Sequence, residues 1–225
     1  ESNTIVIFTS DNGGVASGDA FSTSCLPHKG GKGYQWEGGI REPYFIYIPW
    51  SKTKGIKVDY PVTGADFYPT ILEYADINLM PNQHKDGVSL KPIIDNSRLV
   101  LKERSLYRHY PHYGNQGGDP SSIIRKGDWK LIHYYEDGKK ELYNLKSDPS
   151  EQNNLVEIHP QIGAELYANL KNWLESVEFD ENKRKAYEKS IVEELLPKLE
   201  QQRKDMLTKE FKPNADWWGS IITKD

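Results

Sequence analysis

Asp11 and Asn12 sit side by side in the turn Thr9-Ser10-Asp11-Asn12-Gly13-Gly14. A carboxylate beside an amide oxygen offers the hard donors that Ca²⁺ or Mg²⁺ prefers and little that a soft metal wants. Two donors do not make a site, since Ca²⁺ takes about six to eight oxygens. An Asp-Asn-Gly sequence also serves as plain turn chemistry. Further on, Lys32 stands between glycines in Gly31-Lys32-Gly33. Glycines let backbone approach an anion closely, and an ammonium brings three donors to a sulfate or phosphate oxygen. The spacing and the trailing Ser or Thr of a P-loop are absent. A third group is His109-Tyr110-Pro111-His112-Tyr113. Its two histidines are separated by a proline and cannot share a helix face, which excludes a zinc-protease helix. Both can project from a strand end and hydrogen-bond a sugar hydroxyl or a leaving-group oxygen, or they can be structural histidines in a tyrosine-rich sheet. Tyr34 and Trp36 suit stacking on sugar or packing under the loop. Glu37 and Arg41 read as braces for the glycine-rich loop.

These residues need elements to hold them. Residues 4–8 form a short β-branched and aromatic run, apolar on both faces, of the kind that fills the middle of a parallel sheet. Such a strand so near the first residue leads to the expectation that further chain precedes it. The turn with Asp11 then lies beyond a strand's carboxyl end, where open α/β sheets gather ligands. A glycine-rich loop ends in Gly30-Gly31-Lys32-Gly33-Tyr34-Gln35-Trp36-Glu37-Gly38-Gly39, and a loop of that length is usually functional or disordered. A second strand is expected over 44–48 between Pro43 and Pro49, and a helix over 63–75 with Pro69 near its start. From about residue 100 the pattern changes to strands over 105–110, 122–125, 129–135 and 141–145. The turns between them carry Gly117-Gly118, Gly127-Asp128 and Asp137-Gly138. Apolar spacing predicts a helix over 161–177 and a charged one over 187–209 interrupted by Pro197. The expected division is therefore 1–98 and 99–225.

Composition narrows the classes. The chain has 225 residues, and 29 Lys plus Arg against 33 Asp plus Glu leave a net charge of −4. That balance gives no general field for nucleic acid or anionic lipid. With 36 % hydrophobic and 28 % charged residues, collagen-like and low-complexity chains are excluded. No apolar run approaches the roughly 20 residues of a membrane span. No signal-peptide pattern opens the chain, and the single cysteine, Cys25, cannot form an internal disulfide. The 12 % aromatic content suits wet clefts and sugar faces as well as cores.

The order of motifs is more specific than any one of them. TIVIFTSDNGG (4–14), followed at short range by GGKGYQWEGGIREP (30–43), resembles the sulfatase family of the alkaline phosphatase superfamily. Asp66-Phe67-Tyr68-Pro69-Thr70 resembles the helix that follows that family's core. Ser121 through Arg125-Lys126-Gly127-Asp128-Trp129-Lys130-Leu131-Ile132 to Glu141-Leu142-Tyr143-Asn144-Leu145, then Asp148-Pro149 with Glu151, Asn154 and Leu155, resembles its C-terminal subdomain. The resemblance covers about residues 3–175 and implies an α/β fold: part of an alkaline-phosphatase-like sheet sandwiched by helices, plus a C-terminal four-stranded antiparallel subdomain with helices. It implies that Asp11 and Asn12 are ligands of a Ca²⁺ (or Mg²⁺) ion and that Lys32 contacts the sulfate group. In that family the C-terminal region helps shape the substrate pocket, which makes His109 the first choice for a substrate contact, together with His112, and Asn115, Gln116 and Arg125 weaker candidates. The resemblance implies hydrolysis of a sulfate ester, with sulfated carbohydrate as the partner and a periplasmic or secreted location. The rival readings are a phosphate or phosphonate ester hydrolase on the same scaffold and a non-catalytic carbohydrate-binding module. The family's nucleophile is a formylglycine made in a Cys/Ser-x-Pro/Ala-x-Arg motif near the N-terminus. Cys25-Leu26-Pro27-His28-Lys29 imitates that motif but ends in lysine, and it falls between the Asp-Asn pair and the glycine-rich loop. Cys25 is therefore expected to be an ordinary loop thiol, and the formylglycine is expected in an N-terminal part. The expectation is a C-terminal portion of a sulfatase that does not turn over alone.

Overall fold

The computed structural model describes residues 2–16, 23–113 and 116–190, with isolated positions between 193 and 204. Its chain forms two compact units, 1–172 and 173–225. In the first unit β1 (Val6–Thr9) pairs with β2 (Tyr44–Tyr47), and α1 (Glu37–Ile40) lies between them in sequence. The helices α2 (Phe67–Tyr74) and α3 (Lys91–Asp95) follow, then β3 (Ser105–Tyr110), β4 (Ser121–Lys126), β5 (Trp129–Tyr134) and β6 (Lys140–Asn144). Helix α4 (Pro160–Ser176) runs from the first unit into the second, and α5 (Glu181–Ser190) belongs to the second. The architecture is α/β with a four-stranded antiparallel sheet, as the sequence implied.

The pairing of β1 differs from the parallel arrangement expected. Among the described residues its neighbour is β2, antiparallel, in the register Val6 with Tyr47 and Phe8 with Phe45. Hydrophobic patterning marks a strand but not the direction of its partner. The face carrying Val6, Phe8, Phe45 and Tyr47 is open, with Phe8 and Phe45 63 % and 64 % exposed and their rings 6.1 Å apart.

The four-stranded sheet runs β3-β4-β5-β6 with every pair antiparallel. Gly127 at φ 56° and Gly138 at φ 71° supply the left-handed residues of its hairpin turns. Side chains alternate along each strand, so β5 presents two faces. Leu131 and His133 face α4, where Tyr167 meets the His133 ring at 5.0 Å and Gly163 lies against Leu142. Lys130, Ile132 and Tyr134 face the other way. There Ile123, Ile132, Tyr134, Tyr143 and Leu145 form a core on which Trp36 and Ile40 pack. Burying five such side chains stabilises by about 1.5–3 kcal/mol each before entropy is charged. The glycine-rich loop is thus the lid of this core.

The helix expected over 63–75 begins with a single 3-10 turn, Gly64–Asp66. The Asp66 carboxylate accepts the Thr63 N–H at 2.7 Å and the Val88 N–H at 2.9 Å. It also takes a two-pronged ion pair from Arg104 at 2.8 and 2.5 Å, which ties the start of α2 to the segment entering β3. In the second unit Asp180 caps α5 through the N–H groups of Asn182 and Lys183. Of the helix expected over 187–209, Tyr187–Ser190 is the end of α5, and most of the remainder lies outside the described residues.

Candidate active site

The turn 10–14 follows β1 directly. Ser10 Oγ donates to the Asn12 carbonyl at 2.9 Å and holds the bend, leaving the Asp11 side chain exposed and Asn12 half-buried. Backbone hydrogen bonds join this turn to the loop around Lys32. Lys32 N–H reaches the Gly14 carbonyl at 2.8 Å, and Gly13 N–H reaches the Gly39 carbonyl at 3.0 Å. The approach is close enough to require glycine: a β-carbon at Gly13 would stand 2.0 Å from the Gly38 oxygen. The structure therefore brings the Asp11-Asn12 turn and the Lys32 loop into one place.

The loop is closed by Gly38 N–H to Lys29 O at 2.8 Å and tightened by Tyr34 N–H to Gly31 O at 3.0 Å. Far-downstream side chains then fasten it to the sheet. Trp36 Nε1–H donates to Glu141 Oε2 at 3.1 Å. His28 Nδ1 lies 3.1 Å from the Pro149 carbonyl oxygen. Glu37 and Glu151 share the ammonium of Lys130 at 3.0 and 2.8 Å, and the Glu37 N–H donates to Glu151 Oε2 at 2.5 Å. Lys130 and Glu151 are 0 % exposed and Glu37 is 2 % exposed. Arg125 stands 3.7 Å from the second Glu37 oxygen.

Charge in this cluster is divided unequally. Burial pushes the Glu37 carboxyl up, but Lys130, with Arg125 and Arg41 beyond it, outweighs burial and holds the group below its ordinary value. For Glu151 burial prevails over the attraction of Lys130, and its carboxyl is raised. Glu141 is pushed up by burial and brought below its ordinary value by hydrogen bonds from Lys139, Trp36, Tyr134 and Tyr143.

The histidines fall on different sides of this arrangement. His109 pairs with Ser122, which is opposite His133 on the α4-facing side of the sheet. Its Nδ1 lies 2.6 Å from Ser122 Oγ and 3.3 Å from the Tyr135 hydroxyl. Arg108, one residue earlier, is on the loop-facing side. His112 is exposed past the end of β3, with its ring 5.6 Å from that of Tyr110. Residues 116–118 come back against the loop: Gly117 lies under the Tyr34 ring, and Gln116 borders Gly33. Asn115 lies outside the described residues. Tyr34 and Trp36 stack on each other at 5.5 Å, which favours packing under the loop.

Sequence reasoning gave Glu37 a bracing role but missed its partners Lys130 and Glu151. The signal was present, because a lysine between Trp129 and Leu131 in a buried strand needs a carboxylate. A cavity of about 230 Å³ opens beside the turn, lined by Gly13, Gly14, Cys25, His28, Arg41 and Glu42 among others. Burial raises the Glu42 carboxyl, Arg108 works against that, and the negative charge of Asp11 adds to it. Cys25 points its thiol at the Gly14 carbonyl, 3.8 Å away.

Asp11 and Asn12 fit a hard cation in kind, as oxygen donors on an exposed turn. Among the described residues no group of three or more His, Cys, Asp or Glu side chains converges to complete a shell. A formylglycine has no matching motif in this chain.

The scaffold is thus an α/β one in which an oxygen-rich turn after a strand is locked to a lysine-bearing glycine loop, itself clamped on an antiparallel sheet. Residues 31–181 match the family described as N-sulphoglucosamine sulphohydrolase, C-terminal. A sulfatase of Formosa agariphila is 34 % identical over 186 residues, covering 76 % of this chain and 33 % of its own length. An N-acetylglucosamine-6-O-sulfatase of Bacteroides thetaiotaomicron is 31 % identical, covering 68 % and 26 %. The solved structure of BT4656 in complex with D-glucosamine-2-N,6-O-disulfate aligns with TM-score 0.61 at 26 % identity, covering 77 % of this chain and 34 % of that one. Ps i-CgsB with k-i-k-neocarrahexaose aligns with TM-score 0.64 at 28 % identity, covering 76 % and 36 %. The chain spans about a third of the length of the curated relatives it matches. It belongs to the sulfatase family and corresponds to the C-terminal portion.

Proposed function

We propose that this chain is the C-terminal third of a sulfuric ester hydrolase acting on sulfated carbohydrate outside the cytoplasm, in the periplasm or as a secreted protein. The observation that carries the reading is the backbone junction of the Lys32 loop with the Asp11-Asn12 turn, at Lys32 N–H to Gly14 O and Gly13 N–H to Gly39 O. In this reading Lys32 binds a sulfate oxygen and neutralises charge that grows as the ester bond breaks, the electrostatic contribution that usually dominates such catalysis. Asp11 and Asn12 supply two oxygen ligands to a Ca²⁺ or Mg²⁺ ion, which supplies Lewis-acid polarisation when bound. The remaining ligands and the formylglycine nucleophile come from the rest of the enzyme. His112, with Gln116 beside the loop, faces the sugar, whereas His109 supports β3 from the opposite side. Segment 1–98 carries the charged machinery and 99–225 the mould and part of the pocket wall.

Complementary names among the relatives support the substrate class: one is an N-acetylglucosamine-6-O-sulfatase, and one is solved with a disulfated glucosamine. The test is hydrolysis of paired aryl sulfate and aryl phosphate esters by the whole enzyme, with and without Lys32→Ala. The expected result is preference for sulfate and a drop of about 10²–10³ in kcat/KM for the variant. A preference for phosphate, or an unaffected K32A enzyme, overturns the reading.

A further inference from the structure

Three ionisable groups are buried together where β5, α1 and the turn at residue 151 meet. Taking charges out of water is expensive, and well-packed apolar residues in place of all three groups would fill the space at less cost. What the ionic arrangement adds is direction. An ammonium fixed between two carboxylates leaves the Glu37 side chain one position, and the Glu37 N–H bond to Glu151 fixes its main chain as well. The next residue, Gly38, closes the loop onto Lys29, and Gly39 accepts the Gly13 N–H. Lys32 lies inside that closed loop and is bonded to Gly14. A shift at Glu37 is therefore passed through main-chain hydrogen bonds to Lys32 and to the turn after β1.

We propose that Lys130 is a positioning residue for Lys32: acting through Glu37, it sets where the glycine-rich loop presents its ammonium to a sulfate ester that Lys130 never touches. The role rests on the sulfate-binding reading of Lys32, but its mechanical half can be measured without it. Amide hydrogen exchange in the whole enzyme reads that half. In Lys130→Met the amides of Lys32, Tyr34 and Gly38 accelerate at least about tenfold more than those of β3 and β4, which speed up only by the global loss of stability. Unchanged loop amides, or equal acceleration throughout the sheet, overturn the proposal. Glu151→Gln keeps the Lys130–Glu37 contact and gives a smaller acceleration confined to the same amides, so the measurement survives if K130M does not fold. Lys130→Arg restores the charge and returns the loop amides toward wild-type rates.

Kinetics reads the other half. K130M lowers kcat/KM for an aryl sulfate in the wild-type background and has no further effect when Lys32 is already alanine. Additive losses mean that Lys130 acts elsewhere and sink the proposal. If K32A alone changes nothing, the sulfate reading fails, and the exchange data alone decide whether Lys130 positions the loop.

Discussion

The loop around Lys32 is held by groups far downstream, in the sheet and the turn after it: the Glu141 side chain on Trp36, those of Lys130 and Glu151 on Glu37, and the Pro149 carbonyl on His28. The turn with Asp11 and Asn12 has no such buttress among the described residues. It hangs on two main-chain hydrogen bonds to that loop and on a two-stranded ribbon whose outer face is open. The two halves of one candidate site are thus built by different physics. The Lys32 loop is preorganised by buried charge, and the Asp11-Asn12 turn takes its position from its neighbour.

The largest effect expected from breaking this contrast is on Lys130. Removing it by Lys130→Met strands two buried carboxylates, and urea denaturation should show a loss of about 3–5 kcal/mol. Gly13→Ala attacks the junction instead. The new methyl would meet the Gly38 oxygen, so stability should fall by about 1–3 kcal/mol, and the Lys32 amide should lose protection in hydrogen exchange. Trp36→Phe keeps the packing and deletes one donor to Glu141, and the same denaturation assay should register about 1 kcal/mol.

Acid sharpens the comparison further. The folded Glu141 carboxyl lies below its ordinary value of 4.5, so its contribution is complete above that pH and is lost as pH falls through the folded value. Glu141→Gln should therefore lose less stability than the parent chain between pH 6 and 3, a window of about three units scanned by thermal unfolding. Glu151 has the opposite sign: its raised carboxyl favours the fold most below 4.5 and progressively less as pH rises through its folded value. The smallest effect belongs to the ribbon. Phe8→Thr on its open face should shift chain stability by no more than about 0.5 kcal/mol in a urea titration.

The four-stranded sheet was legible because β-branched and aromatic runs alternate with Gly127-Asp128 and Asp137-Gly138, whose turn chemistry is local. Helix α1 was not, since Glu37-Gly38-Gly39-Ile40 carries two helix-weakening glycines and is held by Lys130 and Glu151. Helix α3 is a single short turn beginning Lys91-Pro92 and leaves little periodicity to read. Asp11, Asn12 and Lys32 could be picked out by residue type and by the order of motifs. The side on which His109 falls could not. Strand alternation puts Arg108 and His109 on opposite faces, but which face receives the loop depends on contacts between residues about a hundred positions apart.

Trp36 carries one more implication. Its indole is sandwiched against Tyr34, with the Lys29 ammonium 4.0 Å above the ring and its N–H committed to Glu141. The chain has six tryptophans, so the part of the ultraviolet emission that Trp36→Phe removes should track the posture of the glycine-rich segment, an optical gauge of whether that segment is seated on the sheet.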